Sequence, residues 1–270
     1  MLRVSWNLTH FGGRMNKFKL IVTDLDYTLL RDDKSVSSYT LEVFRKCKEK
    51  NLLTAIATGR MVPSAREYID MLKPDFEITN DGALTVRRGE IIHVNELPKE
   101  LIERLLRTIL ANDKETDIFV STTDETFWNQ KFNALNPPFS DFKHNDYLAP
   151  WDRNAIKIVS RILDEKLAEE LGQSQEYKLL PYRGESRYAI LNKIASKGKA
   201  IRNISEMYGI ELNEIIAFGD DYNDVEMLQE CGTGVAVANS IEDVLKVADY
   251  VTKSNEEDGV ADFIERYALT

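Results

Sequence analysis

Short apolar runs alternate with amphipathic segments in the first third of the chain. The runs at 19–23 and 52–57 are largely apolar and are followed by polar residues, the pattern of strands buried in a parallel sheet, and a third strand is predicted at 76–79. Between them, two segments repeat apolar residues at helical spacing; the first follows a serine N-cap at 37 or 38, and the second ends before Pro74. This strand–helix–strand order is typical of a doubly wound parallel sheet.

The pattern changes after residue 83. Two apolar stretches flank Arg88-Gly89 and predict a hairpin, and Pro98 opens an amphipathic helix. The strand-like runs of this region lie at 84–86, 91–94, 118–121, 156–159 and 188–191. We predict that residues 84–189 form a separate α/β module, inserted between two halves of the first domain. The aromatic residues between 119 and 151 are expected to form the core of this module or a dimer contact, or to face a ligand.

The parallel pattern resumes near residue 190. A helix ends at Gly209, apolar strands follow at 215–218 and 234–237, Ser240 to Asp243 resembles a capping box, and a last helix covers 261–267. The predicted domain organisation is an N-terminal extension at 1–14, the first part of the core at 15–83, the insert at 84–189 and the second part of the core at 190–270.

Polar residues follow several of the predicted parallel strands. Asp24, Thr58, Asn80-Asp81 and Asp220 each stand at the carboxyl end of such a strand, where open α/β sheets bind their ligands. Carboxylates that cluster there repel one another unless a cation relieves them. Because hard cations prefer oxygen ligands, we expect Mg²⁺ at this edge of the sheet.

Asp24 and Asp26 are separated by one residue. In an extended segment both side chains would point the same way, so that one carboxylate could attack phosphorus while the other protonates the departing oxygen. An acidic surface turn without a function is the alternative interpretation of the same pair.

Four ordered motifs carry a family resemblance. They are Asp24-Leu25-Asp26-Tyr27-Thr28-Leu29, Thr58-Gly59-Arg60, Ser196-Lys197-Gly198 and Gly219-Asp220-Asp221-Tyr222-Asn223-Asp224. Together they resemble the motifs of the haloacid dehalogenase superfamily. Asn80-Asp81-Gly82-Ala83 and the segment 255–261 resemble its Cof-type phosphatases in particular. The resemblance implies a Rossmann-like parallel-sheet core with an α/β cap of the C2 type inserted after the second motif.

The resemblance also implies a role for each matching residue. Asp24 would be the nucleophile that forms an aspartyl-phosphate, and Asp26 the general acid and then the base. Mg²⁺ would be held by the Asp24 and Asp220 carboxylates and the Asp26 backbone carbonyl. The residues expected to hold the phosphoryl oxygens are Thr58, Gly59, Lys197 and Asn223, and Asp224 is expected to orient the loop or a metal-bound water. Tyr27 departs from the family pattern, which commonly has glycine there.

Composition narrows the classes of partner. The formal net charge of -10 disfavours nucleic acid and anionic membranes, both of which require a basic face, and no apolar run approaches the roughly 20 residues that span a bilayer. Cys47 and Cys231 lie far apart in the chain, which fits a reducing, cytoplasmic setting without a disulfide framework. The three histidines, at 10, 93 and 144, are scattered and indicate no zinc centre.

The sequence therefore predicts a magnesium-dependent phosphatase acting on a small phosphorylated metabolite, a sugar phosphate or a related compound, as a monomer or homodimer. Two alternatives remain open. A phosphomutase or phosphotransferase would pass the same aspartyl-phosphate to a hydroxyl group, and a non-catalytic sensor would bind a phospho-ligand without turnover.

Overall fold

The structure, a computed structural model, describes residues 18–130 and 141–270. The predicted extension at 1–14 lies outside the described residues. The chain divides into two compact units: one takes the residues up to Ala55 together with Ile204–Thr270, and the other is Ile56–Asn203. In sequence, the second unit is thus inserted into the first.

Fourteen strands are present in the described part of the chain. In chain order they are β1 (Leu20–Thr23), β2 (Leu53–Ala57), β3 (Phe76–Thr79), β4 (Leu84–Arg87), β5 (Glu90–Val94), β6 (Ile118–Ser121), β7 (Thr126–Trp128), β8 (Phe142–His144), β9 (Lys157–Arg161), β10 (Tyr177–Pro181), β11 (Arg187–Asn192), β12 (Ile215–Gly219), β13 (Thr233–Ala236) and β14 (Tyr250–Val251).

Eight α-helices join these strands in the same described ranges. They are α1 (Ser38–Glu49), α2 (Val62–Leu72), α3 (Lys99–Asn112), α4 (Glu165–Gly172), α5 (Lys197–Tyr208), α6 (Val225–Glu230), α7 (Glu242–Val247) and α8 (Gly259–Tyr267).

The first unit contains a parallel sheet in the order β14-β13-β12-β1. Every residue of β1, β12 and β13 is buried, which explains why these strands appear in the sequence as continuous apolar runs rather than alternating ones. Leu53 at the start of β2 donates its backbone N–H to the Lys19 carbonyl at 3.0 Å. Phe263 of α8 packs edge-on against Phe218 of β12, with ring centroids 5.5 Å apart.

Two helices of this unit differ at their N-termini: α1 has a side-chain cap and α7 has none. Ser37 caps α1, its hydroxyl accepting the Thr40 N–H at 3.0 Å, as the sequence predicts. The capping box predicted at 240–243 is wrong: Ile241 is the N-cap of α7 and makes no side-chain cap. The Ser240 hydroxyl instead donates to the Gly219 carbonyl at 3.2 Å, so this tertiary contact replaces the local cap.

The second unit contains the antiparallel strands β3, β4 and β5 and, in addition, a six-stranded sheet. β3 pairs with β4 and β4 with β5, both antiparallel. The second sheet has six strands in the order β10-β11-β9-β6-β7-β8. The hairpin assigned to the insert by sequence thus pairs with β3, and the boundaries at 84 and 189 stay predictions. The α/β class, with a parallel sheet and an inserted α/β segment, is confirmed.

The six-stranded sheet has a hydrophobic core beside α3 and α4. Phe127, Tyr147 and Trp151 belong to this core, and Phe127 meets Trp151 edge-on at 5.4 Å between ring centroids. The core interpretation is confirmed for these three aromatic residues. Phe132 and Phe139 lie outside the described residues.

Two further features of the described residues concern membrane-spanning helices and the two cysteine thiols. None of the helices in 18–130 and 141–270 is both long and apolar enough to cross a membrane. Cys47 and Cys231 are free thiols, and burial raises the pKa of each to about 12. Neither thiol is therefore ionised near neutral pH, which removes both from consideration as nucleophiles.

Candidate active site

Asp24 and Asp220 stand at the ends of two neighbouring parallel strands in the first unit. β1 and β12 are in register with Thr23 opposite Phe218, and the Asp24 N–H donates to the Phe218 carbonyl at 3.0 Å. Both strands end at the same edge, so the pairing that builds the sheet also brings the two aspartates together. The chain turns after Leu25, whose carbonyl accepts the Leu29 N–H at 3.0 Å, so the expectation of an extended segment through Asp26 is wrong.

Asp224 approaches the same edge from the loop after β12. Its Oδ2 accepts the backbone N–H groups of Asp220 at 2.9 Å and of Asp221 at 3.1 Å. Gly219 is needed for this approach, because a Cβ there would lie 2.4 Å from the Asp224 Cβ. Asp224 thereby fixes the backbone of the loop that carries Asp220.

The carboxylates of Asp24, Asp220 and Asp224 form a buried cluster. One oxygen from each lies within 4.8 Å of the others, and the exposed fractions of the three residues are 6%, 2% and 0%. Three negative charges at this separation repel one another strongly in a site shielded from water. Oxygen donors alone, converging and buried, fit a hard divalent cation such as Mg²⁺.

Two further contacts hold Asp220, and sequence reasoning found neither. The buried Thr28 hydroxyl donates to Asp220 Oδ1 at 2.7 Å, and the Ile241 N–H donates to the Asp220 carbonyl at 3.0 Å. Hydrogen bonds of this kind orient carboxylates that bind metals. Thr28 lies inside the first motif, but no local pattern indicates its partner far along the chain.

Asp26 is half-buried and lies outside the cluster of three. Its Oδ1 is 3.0 Å from the Lys34 ammonium, and that ammonium also lies 4.0 Å from the centroid of the Tyr27 ring. Tyr27 has a φ of 57°, in the left-handed region where glycine carries no steric cost. This backbone conformation explains why glycine is common at this position in the family pattern. The Tyr27 side chain is accommodated there with its ring turned outward, 49% exposed.

Asn223 lies on the turn between the two clustered aspartates of the fourth motif. The turn Tyr222–Asp224 is a single 3-10 turn that begins at Asp221, whose side chain accepts the Tyr222 N–H at 2.8 Å. Asn223 is half-buried. Asp221 is therefore a capping residue of the loop.

In the second unit, Thr58 and Gly59 form a loop at the end of β2. The Thr58 N–H donates to the Ile78 carbonyl at 2.8 Å, and the Thr58 carbonyl accepts the Asp81 N–H at 3.1 Å. The Thr58 hydroxyl accepts the Arg60 N–H at 3.1 Å. The loop is thus fixed by backbone bonds to β3 and to the residues that follow it.

The turn Asn80–Gly82 has an unusual backbone. Asn80, Asp81 and Gly82 have φ values of 53°, 54° and 87°. A Cβ on Gly82 would lie 2.1 Å from the Ser196 carbonyl oxygen and 2.8 Å from the Lys197 nitrogen, so only glycine fits. This turn therefore contacts both the Thr58–Gly59 loop and the start of α5.

Lys197 is the first residue of α5 and is 1% exposed. The preceding Ser196 caps the helix, its hydroxyl accepting the Lys199 N–H at 3.1 Å. Lys197 thus places a buried ammonium group at the start of this helix.

A second buried lysine was missed by sequence reasoning. Lys157 of β9 is 0% exposed and contacts the Gly59 carbonyl and Asp81. A lysine inside the apolar run Ile156–Val159 is the signal that could have found it, because buried lysines are rare unless they are paired.

The predicted site residues are thus distributed over both units. Asp24, Asp26, Asp220, Asn223 and Asp224 belong to the first unit, and Thr58, Gly59 and Lys197 belong to the second. Within the first unit the structure brings Asp24, Asp220 and Asp224 together. Within the second it connects Thr58 and Gly59 to the Asn80–Gly82 turn.

The sequence of this chain is similar to those of known hydrolases. The model of the haloacid dehalogenase-like hydrolase family matches residues 21–264. The chain is 31% identical over 261 residues to the 5-amino-6-(5-phospho-D-ribitylamino)uracil phosphatase YcsE of Bacillus subtilis (strain 168), covering 93% of this chain and 96% of that one. It is 28% identical over 265 residues to YitU of the same organism, a phosphatase for the same compound, with 92% of this chain and 97% of that one covered.

Solved structures agree with the fold. A haloacid dehalogenase-like hydrolase from Bacteroides thetaiotaomicron superposes with a TM-score of 0.82 at 28% identity, over 93% of this chain and 99% of that chain. A subclass IIB sugar phosphatase superposes with a TM-score of 0.79 at 24% identity, over 93% and 100%.

Proposed function

The chain belongs to the haloacid dehalogenase-like hydrolases, and from this premise we propose that it is a magnesium-dependent phosphatase that removes the phosphoryl group from a small cytoplasmic metabolite, as a monomer or homodimer. The observation that carries the proposal is the buried cluster of Asp24, Asp220 and Asp224 at the ends of β1 and β12. A cluster of like charges that makes folding harder is best explained by the ligand that it binds.

Mg²⁺ would be held by the carboxylates of Asp24 and Asp220 and by the backbone carbonyl of Asp26, and when bound it supplies positive charge to the phosphoryl oxygens. Asp224 would act through the loop, because its carboxylate already holds the N–H groups of Asp220 and Asp221. Thr28 would orient Asp220 through its hydroxyl.

The reaction has two steps. In the first, a carboxylate oxygen of Asp24 attacks phosphorus, the bond from phosphorus to the ester oxygen breaks, and Asp26 donates a proton to that oxygen. In the second, Asp26 removes a proton from water, the water oxygen attacks the phosphorus of the aspartyl-phosphate, and the Asp24 carboxylate leaves. Inorganic phosphate is released and both aspartates return to their starting state.

The phosphoryl oxygens would be held by the Thr58 hydroxyl, the Gly59 N–H, the Lys197 ammonium and the Asn223 amide. Positioning and charge stabilisation dominate phosphoryl transfer, so such donors account for much of the acceleration. The place of Lys197 at the N-terminus of α5 supports its share of this role, since backbone N–H groups and a cation at a helix start favour an anionic ligand.

The substrate is proposed to be a phosphomonoester of a sugar or of a related polyol-bearing metabolite. The two Bacillus relatives act on a phosphorylated ribitylaminouracil, which combines a sugar-like chain with a planar ring. The panel of substrates to be tested therefore includes sugar phosphates and phosphate esters that carry a planar ring.

The test is phosphate release from that panel by the full chain, with Mg²⁺ and with a chelator. We expect release that requires Mg²⁺ and that falls by at least about 10³-fold in Asp24→Asn, which lacks the nucleophile. Asp243→Asn, which changes an exposed carboxylate of α7, is the matched control and should retain full activity.

Three results would contradict the proposal. Phosphate release that is unchanged in Asp24→Asn would exclude Asp24 as the nucleophile. An isomerised sugar phosphate without free phosphate would indicate a phosphomutase. Binding of phosphorylated metabolites without any turnover would indicate a sensor.

A further inference from the structure

Lys157 is a buried cation with no part in the reaction steps above. It is 0% exposed and is the first residue of β9, whose first four residues are all buried. Burying an ammonium is costly unless charge and hydrogen bonds compensate it. Its partners therefore indicate what this lysine does.

Those partners are the loop of the second motif and the turn that follows β3. The Lys157 ammonium donates to the Gly59 carbonyl at 2.7 Å and to Asp81 Oδ2 at 2.5 Å, and it lies 5.5 Å from the centroid of the Tyr182 ring. Burial acts to lower the pKa of Lys157, but Asp81 and Tyr182 together outweigh this effect and raise it. The lysine is accordingly protonated near neutral pH.

The bond to the Gly59 carbonyl sets the orientation of one peptide plane. In a planar trans peptide, the carbonyl of Gly59 and the N–H of Arg60 point to opposite sides. That N–H donates to the Thr58 hydroxyl oxygen at 3.1 Å. Because one lone pair of the hydroxyl is occupied in this way, its own proton is left to donate to another acceptor.

Asp81 holds the same loop from a second direction. Its N–H donates to the Thr58 carbonyl at 3.1 Å, and its Oδ1 would lie 2.9 Å from a Cβ on Gly59. Lys157 and Asp81 thus fix both peptide planes that flank Gly59.

We propose that Lys157 is a positioning residue for phosphoryl binding: it holds the Gly59–Arg60 peptide so that the Thr58 hydroxyl presents its proton to a phosphoryl oxygen. The inference rests on the proposed function, which gives Thr58 that oxygen to bind. Lys157 itself touches neither the substrate nor the reacting atoms in this scheme.

The experiment is a double-mutant cycle on kcat/KM for phosphate release in the presence of Mg²⁺. Thr58→Val removes the hydroxyl and keeps the shape, and it should lower kcat/KM by about 10²–10³-fold. Lys157→Met should lower it by about 10–100-fold, since the hydroxyl remains but is misdirected. In Thr58→Val, adding Lys157→Met should change kcat/KM by less than about 3-fold, because the group that Lys157 orients is already gone.

Arg187→Met is the matched control. Arg187 lies on the neighbouring strand β11 and pairs with Asp117 at 2.7 Å, so its loss removes an ion pair of the same sheet without touching the Thr58 loop. Its effect on kcat/KM should be small, and any effect should be additive with Thr58→Val.

Lys157→Met leaves Asp81 without its cation, so thermal melting is measured alongside. If the single variant does not fold, Lys157→Met/Asp81→Asn removes both charges and enters the same cycle. Additivity with Thr58→Val, an unchanged kcat/KM, or failure of both variants to fold would assign Lys157 a structural role and overturn the inference. These results differ from failure of the proposed function, in which the unaltered chain releases no phosphate or Asp24→Asn stays active.

Discussion

The Thr28 hydroxyl donates a 2.7 Å hydrogen bond to Asp220 Oδ1, across 192 positions of the chain. This bond joins the turn after β1 to the loop after β12 and fixes one carboxylate oxygen of Asp220. Thr28→Val keeps the shape and removes the bond, so the affinity for Mg²⁺ should fall by about 10–100-fold. The measurement is the Mg²⁺ concentration that half-restores phosphate release, together with the Mg²⁺-dependent rise in melting temperature.

Thr85→Val is the control for that substitution. Thr85 is a buried threonine of β4, and its hydroxyl has no hydrogen-bond partner among the described residues. The same change of side chain should leave the response to Mg²⁺ unaltered there. Equal responses to Mg²⁺ in Thr28→Val and the unaltered chain would show that the bond does not orient Asp220 for the cation.

Asp24 should destabilise the metal-free protein. At 4.8 Å and an effective dielectric constant of about 20, two carboxylates repel by roughly 3 kcal/mol. Asp24→Asn removes one charge, so it should raise the melting temperature measured in a chelator and abolish most of the stabilisation by Mg²⁺. Asp243→Asn, on the exposed face of α7, should change neither value. A lower melting temperature of Asp24→Asn in the chelator would contradict repulsion within the cluster.

Much of the site follows from local patterns. A buried parallel strand is a continuous apolar run, and β1 and β12 end beside Asp24 and Asp220 as that pattern predicts. The fold class follows from the same runs, since short buried strands separated by amphipathic helices have few other solutions. β7, β8 and β14 were not predicted, because strands of two or three residues leave too few positions for a period.

Long-range partners did not follow from the sequence. Thr28 and Lys157 gain their roles from residues distant in the chain, and neither lies in a pattern that names its partner. The same holds for Ser240, whose hydroxyl bonds the Gly219 carbonyl rather than capping α7. Two positive φ values at Asn80 and Asp81 come from tertiary packing, which overrides the preference of both residues for other backbone regions.

Glu265 should make the stability of the first unit depend on pH. The Lys46 ammonium at 2.6 Å and the Tyr39 hydroxyl at 2.7 Å hold the pKa of Glu265 below its ordinary value of 4.5. A lowered pKa adds stability that is present above the unfolded value and is lost as pH falls through the folded value. Glu265→Gln should therefore be less stable than the unaltered chain at neutral pH, and the difference should vanish between roughly pH 5 and pH 3.

Urea unfolding at several pH values measures this difference. Glu169→Gln is the control, because Glu169 is exposed on α4 and makes no hydrogen bond or ion pair among residues 18–130 and 141–270. Its free energy of unfolding should follow that of the unaltered chain at every pH. A constant gap between Glu265→Gln and the unaltered chain down to about pH 3 would contradict the assignment.

Gly59→Ala should damage the phosphoryl-binding loop. The added Cβ would lie 2.9 Å from Asp81 Oδ1, and Asp81 cannot swing away freely because its other oxygen is bound by the buried Lys157. Overpacking of this kind costs about 1–3 kcal/mol, and kcat/KM should fall by about 10–100-fold as the loop shifts. Gly172→Ala is the control, since its Cβ would meet only Leu179 at 3.9 Å. If Gly59→Ala matched Gly172→Ala in melting temperature and kcat/KM, the loop would tolerate a Cβ and the tight contact with Asp81 would not govern phosphoryl binding.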